Sequence, residues 1–188
     1  TTTYFRIGVE HILFGFDHLL FVLGLVLLVR PRQLLATVTA FTLAHSLTLA
    51  AASLGGITLP GPPVEIVIAM SIALLGAETI YRSRGRETLS QRKPWLIAFG
   101  FGLVHGFGFA GALAEIGLPK GAEVLALLLF NLGVEVGQVA FVGAVLLLVF
   151  LAVRLARLPL PPTRIVAAYA IGITGAYWAI ERIVNVVV

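Results

Sequence analysis

The chain is built almost entirely of apolar runs about 20 residues long, separated by short polar breaks, and at 1.5 Å of helix rise per residue that length matches the hydrocarbon thickness of a bilayer. The runs fall at residues 7–29, 34–54, 64–81, 94–113, 122–153 and 164–186. Six transmembrane helices are therefore expected, making an all-α polytopic membrane bundle with a single transmembrane domain over residues 1–188. A soluble globular domain does not suit 59% hydrophobic and only 12% charged residues, and the mean hydropathy of +1.03 says the same. The fifth run, of about 30 residues, exceeds a perpendicular crossing and must tilt, kink or project from the membrane.

Charge sets the expected orientation. A pI near 10.0 would suggest nucleic acid in a soluble protein, but here the basic residues cluster in short loops between apolar runs. Arg30, Arg32, Arg82, Arg84, Arg86, Arg92, Lys93, Arg154, Arg157 and Arg164 put ten of the 13 Lys and Arg on one side. The positive-inside rule makes that side cytoplasmic and gives an N-out, C-out topology, with the loops at 55–63 and 117–121 outside. The partner this implies is the lipid bilayer, not nucleic acid. Residues 1–6 are too short for a cleavable signal, so a signal and an extracytoplasmic segment are expected to precede this sequence. The absence of Cys excludes disulfides, thiolate zinc sites and iron–sulfur clusters, and Met70 alone offers too little thioether for a copper(I) path.

Against this apolar background the ionisable and amide residues stand out: His11, Asp17 and His18 in the first run, His45 in the second, His105 in the fourth, and Asn131, Glu135 and Gln138 in the fifth. A charge at mid-bilayer costs roughly 2.5–3.5 kcal/mol or more, so several such groups imply a use. Counted along each helix, Asp17 and His18 lie roughly 15 Å from the outer face and His45 and His105 about 16 Å from the inner face, so all share the middle of the membrane. Asn131, Glu135 and Gln138 follow i, i+4, i+7 spacing and form one stripe. His11 and His18 are two turns, about 10.5 Å, apart on an unbroken helix and cannot chelate one ion. Either His11 joins an outer station with Glu10 and Glu65 on the way in, or the helix opens at Gly15. Imidazole, carboxylate and amide donors suit a borderline divalent ion, with nickel, cobalt and zinc not separated by the residues alone. Asp17 can act instead by fixing the tautomer of a ligating histidine, and Gln138 by supporting a ligand from behind.

Plainer readings accompany these. A lone intramembrane His can simply be a helix–helix hydrogen-bond partner, and Glu65, Glu115 and Glu123 can be solvated at the interface. Glu78 and Arg82 have the spacing of a helix-surface ion pair. Gly102 and Gly106 read as a close-packing seam that brings His105 near a neighbouring backbone, and Tyr177 and Trp178 as interface anchors. Phe41-Thr-Leu-Ala-His45 and Phe101-Gly-Leu-Val-His105 resemble each other, each followed by a Pro-containing turn, although chance accounts for so few identities about as well. Two other function classes fit the same residues. One is an intramembrane hydrolase with a His-bound zinc, a carboxylate base and Ser46 or Ser71 nearby; the other is a non-catalytic membrane subunit or sensor.

The stretch Gly8-Val-Glu-His11-Ile-Leu-Phe-Gly-Phe-Asp17-His18-Leu-Leu-Phe, whose core is a His, five residues and then Asp-His, resembles the first-helix signature of the HupE/UreJ family. Phe41–Ser46, Phe101–Gly106 and Phe130–Gln138 resemble further blocks of it, so the likeness runs over most of the chain. The family comprises hydrogenase and urease accessory membrane proteins regarded as nickel permeases. The resemblance thus implies a non-enzymatic permease of a bacterial inner (cytoplasmic) membrane, with nickel ahead of cobalt or zinc. It implies metal contacts from His11, Asp17, His18, His45, His105, Asn131 and Glu135. A homo-oligomer or a metalloenzyme-maturation partner is compatible with it.

Overall fold

The computed structural model describes residues 2–155, 157 and 159–187, and every regular element among them is helical. In order these are α1 (Thr2–Phe14), α2 (Phe16–Leu28), α3 (Pro31–Gly55), α4 (Gly61–Ser83), the single turn α5 (Leu89–Arg92), α6 (Pro94–Ile116), α7 (Glu123–Arg154) and α8 (Leu160–Val187). Prolines in the first turns of α3, α4 and α6 start those helices where a missing N–H costs nothing. Gly56 and Gly117, at φ 67° and 79°, end α3 and α6 in backbone conformations that side-chain-bearing residues rarely adopt.

Four helices, α3, α4, α6 and α7, are long and apolar enough to cross a membrane, and α1 with α2 makes a fifth candidate if the pair crosses together. The expected first span, residues 7–29, is not one helix. It breaks at Gly15 and the two halves meet at 69°. The sixth expected span is the helix α8, where Arg164, Glu181 and Arg182 dilute the apolar stretch.

Three helix pairs pack most extensively: α3 with α6, α4 with α8 and α1 with α7. Each seam is built on glycines, which let backbones approach in a setting where lipid gives apolar side chains no reason to associate. A Cβ on Gly106 would run into Thr48 Oγ1 and the carbonyl of His45, and one on Gly133 into the carbonyl of Phe5. On the third seam a Cβ at Gly76 would lie 2.6 Å from the Cα of Gly172. Between the pairs runs α2, buried on most sides through Phe21, Val22, Leu25, Val26 and Leu28 and touching a member of every pair. Its C-terminal carbonyls at Leu27 and Leu28 accept from Arg164 and Arg82, cations that suit the negative end of a helix. Glu78 accepts instead from the Thr88 hydroxyl, so the expected surface pair with Arg82 gives way to contacts that tie α4 to α2 and to the turn before α5.

Candidate metal centre

The break at Gly15 is what assembles the centre. Gly15 sits at φ −78° and ψ 92°, outside the helical region, between the last turn of α1 and the first of α2. A Cβ there would lie 2.6 Å from the His11 carbonyl and 2.9 Å from His18 Nδ1, so no larger residue fits without shifting the bend. Folding the chain back brings the rings of His11 and His18 to 4.5 Å between centroids, against about 10.5 Å along a continuous helix. Of the two alternatives for His11, the helix opens at Gly15: His11 lies with His18, while Glu10 pairs with Arg6 on the surface at 2.7 Å and Glu65 lines the same cavity as His11.

His45, midway along α3, completes the group. One ring nitrogen from each of His11, His18 and His45 lies within 4.8 Å of the other two. Donors on a single ion, each about 2.0–2.1 Å from it, stand roughly 3–4 Å apart, so small side-chain adjustments close this triangle. The Nε2 atoms of all three are buried and find no hydrogen-bond partner among the described residues, a costly arrangement for polar nitrogen unless it serves a ligand.

Neighbouring polar groups fix which nitrogen is free. His18 Nδ1 donates to Asp17 Oδ1 at 3.0 Å, which leaves the lone pair on Nε2. For His45, the Asn131 amide donates through Nδ2 to the Leu127 carbonyl at 2.8 Å, turning its Oδ1 towards His45 Nδ1 at 3.4 Å. Again Nε2 keeps the lone pair. His105 stands beside the triangle, its ring 5.0 Å from that of His18. Ser71 donates to the Ile68 carbonyl at 2.6 Å, so its oxygen accepts from His105 Nε2 at 3.4 Å and the free nitrogen of His105 is Nδ1, buried and without a partner. Asp17, Asn131 and Ser71 therefore perform one task for three histidines.

Helix ends add to the field. A cation at this point faces the C-terminal, partially negative end of α1, and Asp17 in the first turn of α2 offsets that helix's positive end. Phe109 packs on His11 at 4.0 Å between centroids and on Phe130 at 5.0 Å, while Phe21 and Phe41 flank His105 at 5.2 and 5.1 Å. These aromatic rings surround the triangle with apolar surface, Phe109 also lining the cavity beside it. On the near side a cavity of about 300 Å³ is lined by His11, Asp17, His18 and His105, with Glu65 and Arg182 on its wall joined at 3.3 Å.

Glu135 and Gln138 share α7 with Asn131 but bond elsewhere. Glu135 accepts from Thr39 at 2.6 Å and Gln138 from Thr42 at 2.8 Å, both on α3. Thr39, Thr42 and Arg182 escaped the sequence reading; the signal available for the threonines was their i, i+3, i+6 spacing with His45, which puts them on a common side of α3.

Apolar helices packed around a buried histidine cluster define an integral membrane protein whose core is suited to a metal ion. More particularly, the chain belongs to the HupE / UreJ protein family, whose model matches residues 1–182. No curated protein and no solved structure matches it. Membership suggests a role in nickel or cobalt handling, as a transporter or an accessory protein.

Proposed function

We propose that the chain is a membrane permease for a divalent transition-metal ion, nickel or cobalt, bound in transit by His11, His18 and His45. The observation that carries this reading is the convergence of three imidazoles whose buried Nε2 atoms have no other partner among the described residues. Imidazole suits nickel, cobalt and zinc alike, and family membership favours the first two. In this reading Asp17 and Asn131 hold the tautomers of His18 and His45, and His105 receives or passes on the ion beside them. The ion reaches them through the cavity beside Glu65, whose carboxylate faces the guanidinium of Arg182.

The orientation that goes with this function puts the end with ten of the 13 Lys and Arg in the cytoplasm and residues 1 and 188 outside. The broken α1–α2 unit is then one crossing of about six, in a bacterial inner membrane.

Purified protein in sealed vesicles, with a metal-sensitive dye inside, tests the proposal. Wild-type protein should admit Ni²⁺ or Co²⁺ and His18→Ala should not, while both insert equally. Uptake by His18→Ala at the wild-type rate overturns the assignment. Tight binding without flux in the wild type points instead to an accessory or sensing role.

A further inference from the structure

Two cross-helix hydrogen bonds lie next to the imidazoles without belonging to them. Thr39 to Glu135 and Thr42 to Gln138 both join α3 to α7, and on each helix the two residues are three apart, within one turn, so the two bonds lie close together on one seam. Along α3, Thr42 and Thr39 come about 4.5 and 9 Å after His45 towards the basic end. Glu135 uses one oxygen on Thr39; its Oε2 is buried and has no partner among the described residues, and none of the ion pairs there includes Glu135. A carboxylate oxygen so placed inside a membrane bundle is expensive to leave alone.

Gln138 tells the same story. It is fully buried, and its Nε2 has no partner as the amide stands. The Thr42 hydroxyl meanwhile faces two acceptors, the Val38 carbonyl at 3.2 Å and Gln138 Oε1 at 2.8 Å, with one hydrogen to give. Exchanging the amide nitrogen and oxygen resolves both problems: Nε2 donates to Thr42, Thr42 donates to Val38, and Oε1 becomes the free atom. Two oxygens, from Glu135 and Gln138, are then left without donors on one seam, with the hydroxyl oxygen of Thr39 beside them.

We propose that Glu135, Gln138, Thr39 and Thr42 form a second cation station, made of oxygen donors alone, on the α3–α7 seam between the imidazoles and the basic end of the bundle. It rests on the transport reading in one respect, that the ion it takes is the divalent ion released by the nitrogen donors. The chemistry suits a step of departure. Carboxylate, amide and hydroxyl oxygens hold a borderline ion less firmly than three imidazoles, and conduction needs sites weak enough to leave.

Mn²⁺, which prefers oxygen ligands, is the probe that sees this station apart from the imidazoles. Full-length protein in nanodiscs is titrated with Mn²⁺ by electron paramagnetic resonance and with Ni²⁺ by calorimetry. Wild type and His18→Ala should both bind Mn²⁺. Glu135→Gln, which retains the acceptor for Thr39, should bind it at least about tenfold more weakly while keeping Ni²⁺ affinity within a few-fold of wild type. Thr39→Val should weaken Mn²⁺ in the same direction and guards against a folding fault in the first variant. Unchanged Mn²⁺ binding in both variants overturns the station. So does loss of tight Ni²⁺ binding in folded Glu135→Gln, which would make Glu135 part of the imidazole centre. Failure of the transport reading shows separately, as absence of Ni²⁺ flux in vesicles with Mn²⁺ binding intact.

Discussion

A histidine offers a metal one nitrogen, and its hydrogen-bond partner decides which. Asp17 and Asn131 make that choice for His18 and His45. Replacing Asp17 with Ala should therefore lower Ni²⁺ affinity about 10–100-fold in calorimetry although no presumed ligand is lost, with Asp17→Asn milder because its oxygen can still accept from Nδ1. Affinity unchanged in Asp17→Ala would mean that the tautomer is set otherwise. The histidines themselves were legible in the sequence because ionisable side chains in apolar runs are costly. Ser71 entered only as a neighbour of a hydrolase zinc, and Thr39, Thr42 and Arg182 not at all, since hydroxyls are common in membrane helices and the meaning of these side chains depends on which helix lies opposite. That register between helices is a property of the packed bundle, and no spacing within one run encodes it.

At the scale of elements, the bend at Gly15 separates this chain from a simple bundle. A continuous helix over 7–29 fits the apolar pattern, which alone gave no reason to break it; the distance between His11 and His18 hinted at the alternative, and Gly15, a poor helix former, marked the place. Gly15→Ala should straighten or displace the junction and abolish high-affinity Ni²⁺ binding while the protein still inserts and stays helical by circular dichroism. Binding retained at wild-type strength would show that the 2.6 Å approach to the His11 carbonyl relaxes harmlessly. The glycine seams make a second prediction. Gly133→Val places side-chain atoms against the backbone of α1 and should destabilise the folded protein by about 1–3 kcal/mol or more in thermal unfolding in detergent. Gly143→Ala, on the same helix with nothing within 4 Å of the added carbon, should be neutral or stabilising by up to about 1 kcal/mol.

Taken whole, the sequence puts ten of the 13 Lys and Arg in the loops of one side, an asymmetry readable without any structure. The helical class and most helix positions were equally plain, because 20-residue apolar runs leave few alternatives. The turn α5 was not, being too short to carry a period. Since the chain has no cysteine, single cysteines can report sidedness without background. Cysteines at Gly61 and Lys120 should react with a membrane-impermeant maleimide added outside intact cells, and one at Ser83 only after lysis. External labelling at position 83 would reverse the orientation. The bend in the first span also exposes something a straight helix hides. The N–H groups of Phe16 and Asp17, at the start of α2, come before any intrahelical acceptor and lie at the level of the histidines. Their protons can trade with solvent deuterium at a depth where every neighbouring amide is locked. Occupation of the cavity by an ion should slow that trade, so the isotope content of a single peptide spanning Gly15 becomes a clock for how often the centre is filled.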